Sequence, residues 1–107
     1  MARWIRPDKR KKIYERDNHV CAYCGARVRI LNTRECNENE LQYAASLDHI
    51  VPRNEFVKSN RAIDNSPQNL ITSCMSCNSR RHDTPINIFT SRERANEIKL
   101  HVRQNKI

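Results

Sequence analysis

The stretch Leu70–Arg81, LITSCMSCNSRR, sets two cysteines three positions apart, then an asparagine, then two arginines one step further on. A CxxC turn can present two thiolates to one ion. A plain zinc knuckle needs only the cysteines, so the adjacent amide and the positive charge behind it ask for a second explanation. Upstream, Cys21 and Cys24 form another such pair. Together Cys21, Cys24, Cys74 and Cys77 supply the four thiolates of a closed structural zinc site. Residues 25–73 between the pairs exceed the usual ribbon spacing, so the zinc would pin the ends of a long insertion. A redox CxxC or buried thiols are the alternatives, and two pairs in one short chain weigh toward metal. His19 could replace one cysteine, but four thiols are already at hand. Cys36, in a polar stretch, falls outside both pairs and is read as incidental.

With 107 residues, one glycine and four prolines, the chain is expected to form a single domain without long linkers. An apolar content of 37% with few aromatic residues makes a thin core, which small folds supplement with a disulfide framework or a structural metal. No secretory or membrane-spanning apolar run is present, so a reducing cytosol is the expected compartment, where CxxC pairs more often bind metal than form disulfides. A formal charge of +8, front-loaded in Arg3, Arg6, Lys9, Arg10, Lys11, Lys12 and Arg16, points to a polyanionic partner. A solvated basic helix is the plainer alternative. A membrane surface fits less well, because Trp4, Ile5, Ile13 and Tyr14 make a thin apolar face.

Along the chain, Pro7 suits a first helical turn and predicts a basic helix from Pro7 to about Asp17. RVRIL (residues 27–31) and LQYAASLDHIV (residues 41–51) read as two strands of a hairpin around the polar NTRECNENE tip. Residues 52–68 read as a long surface loop. NLITSC and SCNSRRHD then predict a short strand and a short helix ahead of Pro85. Thr90 with Glu93 forms a capping-box pattern, and Ala95, Ile98 and Val102 follow at helical spacing, predicting a C-terminal helix over residues 90–105. The expected class is α+β, with a zinc-pinned core over residues 19–83 between two helices.

Inside the insertion lies LDHIVPRN. On a strand, Asp48 and His49 point to opposite faces and should do different jobs. A carboxylate is a hard ligand for Mg²⁺ or Mn²⁺, and a neutral imidazole is a general base near pH 7. The dipeptide alone is a weak indicator; Asn69, Asn78 and His82 downstream add the weight. On a helix, Asn78 and His82 would share one face.

Asp48-His49-Ile50-Val51-Pro52, then Asn69-Leu70, then Cys74-x-x-Cys77-Asn78 with basic residues behind, resembles the HNH endonuclease family in its zinc-knuckle, ββα-metal (His-Me finger) form. It is also similar to the HNH domain of RNA-guided CRISPR effector nucleases, without room for guide-RNA lobes. The resemblance implies a metal-dependent endonuclease acting on DNA, most naturally double-stranded, by nicking or double-strand cleavage. It implies that Asp48 and Asn78 bind a catalytic Mg²⁺ or Mn²⁺, that His49 activates the attacking water, and that Asn69 holds the loop so that His49 faces the phosphate. His82 matches a third ligand in some branches of the family. Asn78 stands where many members carry histidine, which disfavours soft transition metals. Arg80 and Arg81 are expected to grip flanking phosphates, with an exposed helix end as the alternative for each. High sequence specificity would need a homodimer or a partner protein. The competing class is a non-catalytic zinc-ribbon binder of nucleic acid, separable by cation-dependent cleavage; a thiol redox protein would lack zinc.

Overall fold

A computed structural model describes residues 5–31 and 35–105. In chain order the elements are α1 (Pro7–Arg16), α2 (Glu38–Leu41), β1 (Ala45–His49), α3 (Arg53–Lys58), β2 (Leu70–Cys74), α4 (Met75–Arg81), α5 (Ile86–Phe89) and α6 (Arg92–Gln104), with a 3₁₀ turn at Pro67–Asn69. The strands pair antiparallel, Ala45 opposite Cys74 and His49 opposite Leu70. α4 follows β2 directly and packs against both strands. This is an α+β chain built on a ββα unit, as the sequence predicts.

Facing residues of an antiparallel pair share a side of the sheet. Leu47 and Leu70 therefore lie together and pack on Ile5, Ile13 and Tyr14 at the N-terminal helix. Ile71 lies on the other side, among Ile86, Ala95, Ile98 and Val102 of α5 and α6. All five residues of β2 are buried, which is why NLITSC carries no polar alternation. Asp17, the residue that ends α1, clamps the two layers. Its carboxylate accepts from the Arg16 guanidinium at 2.7 and 3.0 Å, from the Thr72 N–H at 2.9 Å, and pairs with His101 Nε2 at 2.7 Å. Burial alone would raise the Asp17 pKa, but the hydrogen bonds from Arg16, His101 and Thr72 outweigh it and hold the group below the ordinary carboxylate value. Among the described residues, no helix is long and apolar enough to cross a membrane.

Three expectations are corrected. The predicted hairpin does not form: residues 27–31 make only isolated bridges, Val20 with Arg27 and Arg29 with Ala44, and the partner of β1 is β2. Leu41 belongs to α2, whose Asn37 cap and Glu40 close a reciprocal capping box, so the strand begins only at Ala45. Residues 32–34 of the predicted tip lie outside the described residues. The expected 52–68 loop is interrupted by α3, which buries Phe56. At the C-terminal helix the cap is Ser91, accepting from the Arg94 N–H at 3.0 Å, rather than Thr90.

Candidate active site and metal centre

One end of the sheet carries the four cysteines. Their sulfurs all lie within 4.8 Å of one another, and Cys24 Sγ sits 3.8 Å from Cys74 Sγ. A tetrahedral zinc with bonds of ~2.3 Å sets its sulfurs about 3.8 Å apart, whereas a disulfide needs ~2.05 Å. The donor set fits structural zinc. Burial pushes the Cys77 thiol up to about 12, so a cation is what would favour its thiolate. The Cys77 N–H points at Cys74 Sγ at 3.4 Å, and Arg80 donates to Cys77 Sγ at 3.2 Å. Arg80 is exposed, but one of its N–H groups is turned toward the sulfur cluster rather than outward.

The other end opens into a cavity of about 610 Å³ lined by Asp48, His49, Asn78 and His82 together with Arg53 and Asn54 of α3. Asp48 is almost fully buried. Its Oδ2 accepts from Arg81 Nη1 at 2.7 Å and, in a short contact, from the Tyr23 hydroxyl. Burial, then the Asp48 charge, pushes the Tyr23 pKa upward, so the phenol stays protonated and donates. Among the described residues, Asp48 Oδ1 has no hydrogen-bond partner. Asn78 is oriented in the same way: its Nδ2 donates to Ser46 Oγ and to the Leu47 carbonyl at 3.2 Å, and among the described residues its Oδ1 has no hydrogen-bond partner. Asp48 of β1 and Asn78 of α4 both line the cavity, and their oxygens are the hard donors that suit Mg²⁺ or Mn²⁺.

His49 is half-buried, with Nε2 2.7 Å from Asn65 Oδ1. Burial, its largest influence, lowers its pKa, with the Arg53 and Arg81 charges acting in the same direction. Asn69 does what its position suggests: Oδ1 accepts from the Val51 N–H at 2.8 Å, and Nδ2 donates to the Asp64 carbonyl at 2.9 Å. It ties the chain leaving β1 to the loop entering β2. His82 lines the cavity but does not share a helical face with Asn78. It caps α4 at φ 49°, ψ −114°, and its ring, 82% exposed, pairs with Asp83 Oδ1 at 3.1 Å.

Arg81 departs from expectation. Its side chain is fully buried, donating to Asp48 Oδ2, to the carbonyls of His49 and Ile50, and to the Thr84 carbonyl at 3.0 Å. A guanidinium with these partners has no reach to a flanking phosphate. It fixes the end of β1 and the Asp48 carboxylate instead. Sequence reasoning missed Tyr23, Arg53 and Asn65. Tyr23 sits between the first two cysteines, and Asn65 lies in the turn-rich IDNSPQN; neither spacing marks a role.

A ββα unit with four cysteines placed to hold zinc at one end, and Asp, His and Asn lining an open cavity at the other, is consistent with a ββα-metal fold. The family model described as HNH endonuclease matches residues 21–84, from the first knuckle cysteine to just beyond α4. The chain belongs to the HNH endonuclease family. No curated protein matches it.

Proposed function

We propose that this protein hydrolyses DNA phosphodiester bonds, using His49 as general base beside one divalent cation, Mg²⁺ or Mn²⁺, held through Asp48 Oδ1 and Asn78 Oδ1. The observation that carries the reading is the set of spare acceptors on one cavity: Asp48 Oδ1, Asn78 Oδ1 and a His49 ring nitrogen, each on a side chain whose other polar atom is tied to the protein. Such a cation supplies charge neutralisation at the phosphorus oxygens and the leaving group. Neutral His49 takes a proton from water as the water oxygen bonds to phosphorus and the bond from phosphorus to the 3′ oxygen breaks. The products are a 5′-phosphate and, once the leaving oxygen is protonated, a 3′-hydroxyl. Arg81 and Tyr23 act earlier, holding Asp48 so that one oxygen remains turned to the cavity.

DNA suits the charge of the chain. Arg6, just ahead of α1, and Lys11 and Lys12 on it are exposed, and Arg53 adds a cation at the cavity. Backbone phosphates are the natural targets of such groups, and they confer affinity without sequence information. A second subunit or a partner protein would be needed for long-site specificity.

The test is relaxation of supercoiled plasmid with EDTA, Mg²⁺, Mn²⁺ or Zn²⁺, using the wild type and His49→Ala. Cleavage that needs both added cation and His49, with a loss of about 10²–10⁴-fold in the variant, supports the proposal. Tight DNA binding with no cutting under any cation would instead indicate a zinc-ribbon binder.

A further inference from the structure

The loop between α3 and β2 is held unusually firmly for a stretch with so little regular structure. Arg16 donates from α1 to the carbonyls of Pro67 and Leu70, both at 2.7 Å. Lys9, also from α1, donates to the Asn65 carbonyl in a short contact. From inside the loop, Asp64 Oδ1 accepts from the Ser66 N–H at 2.9 Å, and Asn69 Nδ2 reaches the Asp64 carbonyl. Five contacts therefore converge on a few residues, and the one side chain they aim at the cavity histidine is Asn65. Asn69 makes its side-chain hydrogen bonds to Val51 and Asp64, and it shapes the loop from which Asn65 reaches His49.

A histidine serves as a base only through the nitrogen that carries no proton, and the group bonded to the other nitrogen decides which that is. An amide oxygen can only accept. With Asn65 Oδ1 at 2.7 Å from Nε2, the proton belongs on Nε2 and the lone pair on Nδ1. No described residue hydrogen-bonds to Nδ1. We propose that Asn65 is the positioning residue of this site: its amide oxygen selects the Nε2–H tautomer of His49 and leaves Nδ1 to receive the proton from water. Through Lys9 the basic helix α1 holds the backbone of Asn65 in place, so the element that carries much of the exposed positive charge also braces the base. The inference rests on the reading of His49 as base for its catalytic part; the tautomer assignment stands apart from it.

Two measurements separate the parts. Long-range ¹H–¹⁵N correlation spectra of the zinc-loaded protein at about pH 8, where an ordinary histidine is neutral, report the tautomer directly; His49 is assigned by its absence from His49→Ala. The wild type is expected to show Nε2–H. A wild-type Nδ1–H tautomer would overturn the proposal by itself, whatever the plasmid assay gives. Asn65→Leu, which removes the acceptor, is expected to lose the single tautomer and to lower kcat about 10–100-fold at unchanged KM, the usual cost of losing the partner that orients a reacting group. Asn65→Asp keeps an acceptor oxygen and should retain the Nε2–H form. Wild-type spectra and kcat in Asn65→Leu would overturn the proposal, as would loss of the Nε2–H tautomer in Asn65→Asp. If the wild type proves inactive on DNA in every buffer, the spectra still decide the tautomer while the nuclease reading fails alone.

Discussion

The two ends of the sheet treat polar atoms in opposite ways. At the cysteine end four sulfurs turn toward one another, with backbone and arginine N–H groups gathered around them. At the cavity end each key side chain is half-satisfied: Arg81 takes one oxygen of Asp48, Ser46 and Leu47 take the amide nitrogen of Asn78, and Asn65 takes one nitrogen of His49. A closed set of donors is what a stabilising metal requires, and an oriented but incomplete set is what a reacting site requires. The contrast teaches that one hydrogen bond per side chain can aim the other polar atom.

The largest way to break this comparison is at the closed end. Stripping zinc, or replacing Cys21 with Ser, is expected to abolish the cooperative fold, because zinc binding in small domains contributes on the order of 10 kcal/mol. Circular-dichroism melts alongside zinc content check this, and a metal-free protein that melts like the loaded one would remove the structural role. Next comes Arg81→Met. It strands the buried Asp48 carboxylate, and removing one partner of such a pair costs about 3–5 kcal/mol. Denaturant unfolding should show that loss, whereas His49→Ala should melt close to the wild type, since among the described residues the His49 side chain has a single hydrogen bond, and it lines the cavity.

A smaller effect sharpens the open end. Burial holds the His49 pKa below the ordinary value of about 6.5, so the neutral base persists to lower pH than in a free histidine. Activity should fall about tenfold per pH unit as pH drops through that lowered pKa, when the ring becomes imidazolium and can no longer take a proton. An acid limb that is unchanged in a variant lacking the imidazole would argue against His49 as base, and a midpoint above about 6.5 would argue against the effect of burial. Smallest of all, Arg53→Ala should weaken DNA binding alike on different sequences and reduce the salt slope by about one.

How much of this was legible beforehand follows the length scale of each interaction. The helix over Pro7–Arg16 could be read from Pro7 and the stripe of Ile13 and Tyr14, because those are contacts within a turn or two. The strand pairing could not. Residues 27–31 looked like the natural partner of β1 because neighbours in sequence usually pair, yet β2 carries five buried positions and offers more core. The buried state of Arg81 was equally invisible, since nothing local distinguishes it from Arg80 one residue earlier.

By itself the sequence determined the chemistry available: two CxxC turns able to share one ion, an Asp-His pair at a strand end, and an asparagine one residue past the second knuckle. Those depend on residue type and short spacing, which the covalent chain sets. Only the tertiary structure decided which polar atoms are tied down and which are left over. Asp48 meets Arg81, and His49 meets Asn65, across separations that pattern cannot span, and burial then makes each of those bonds an orienting one.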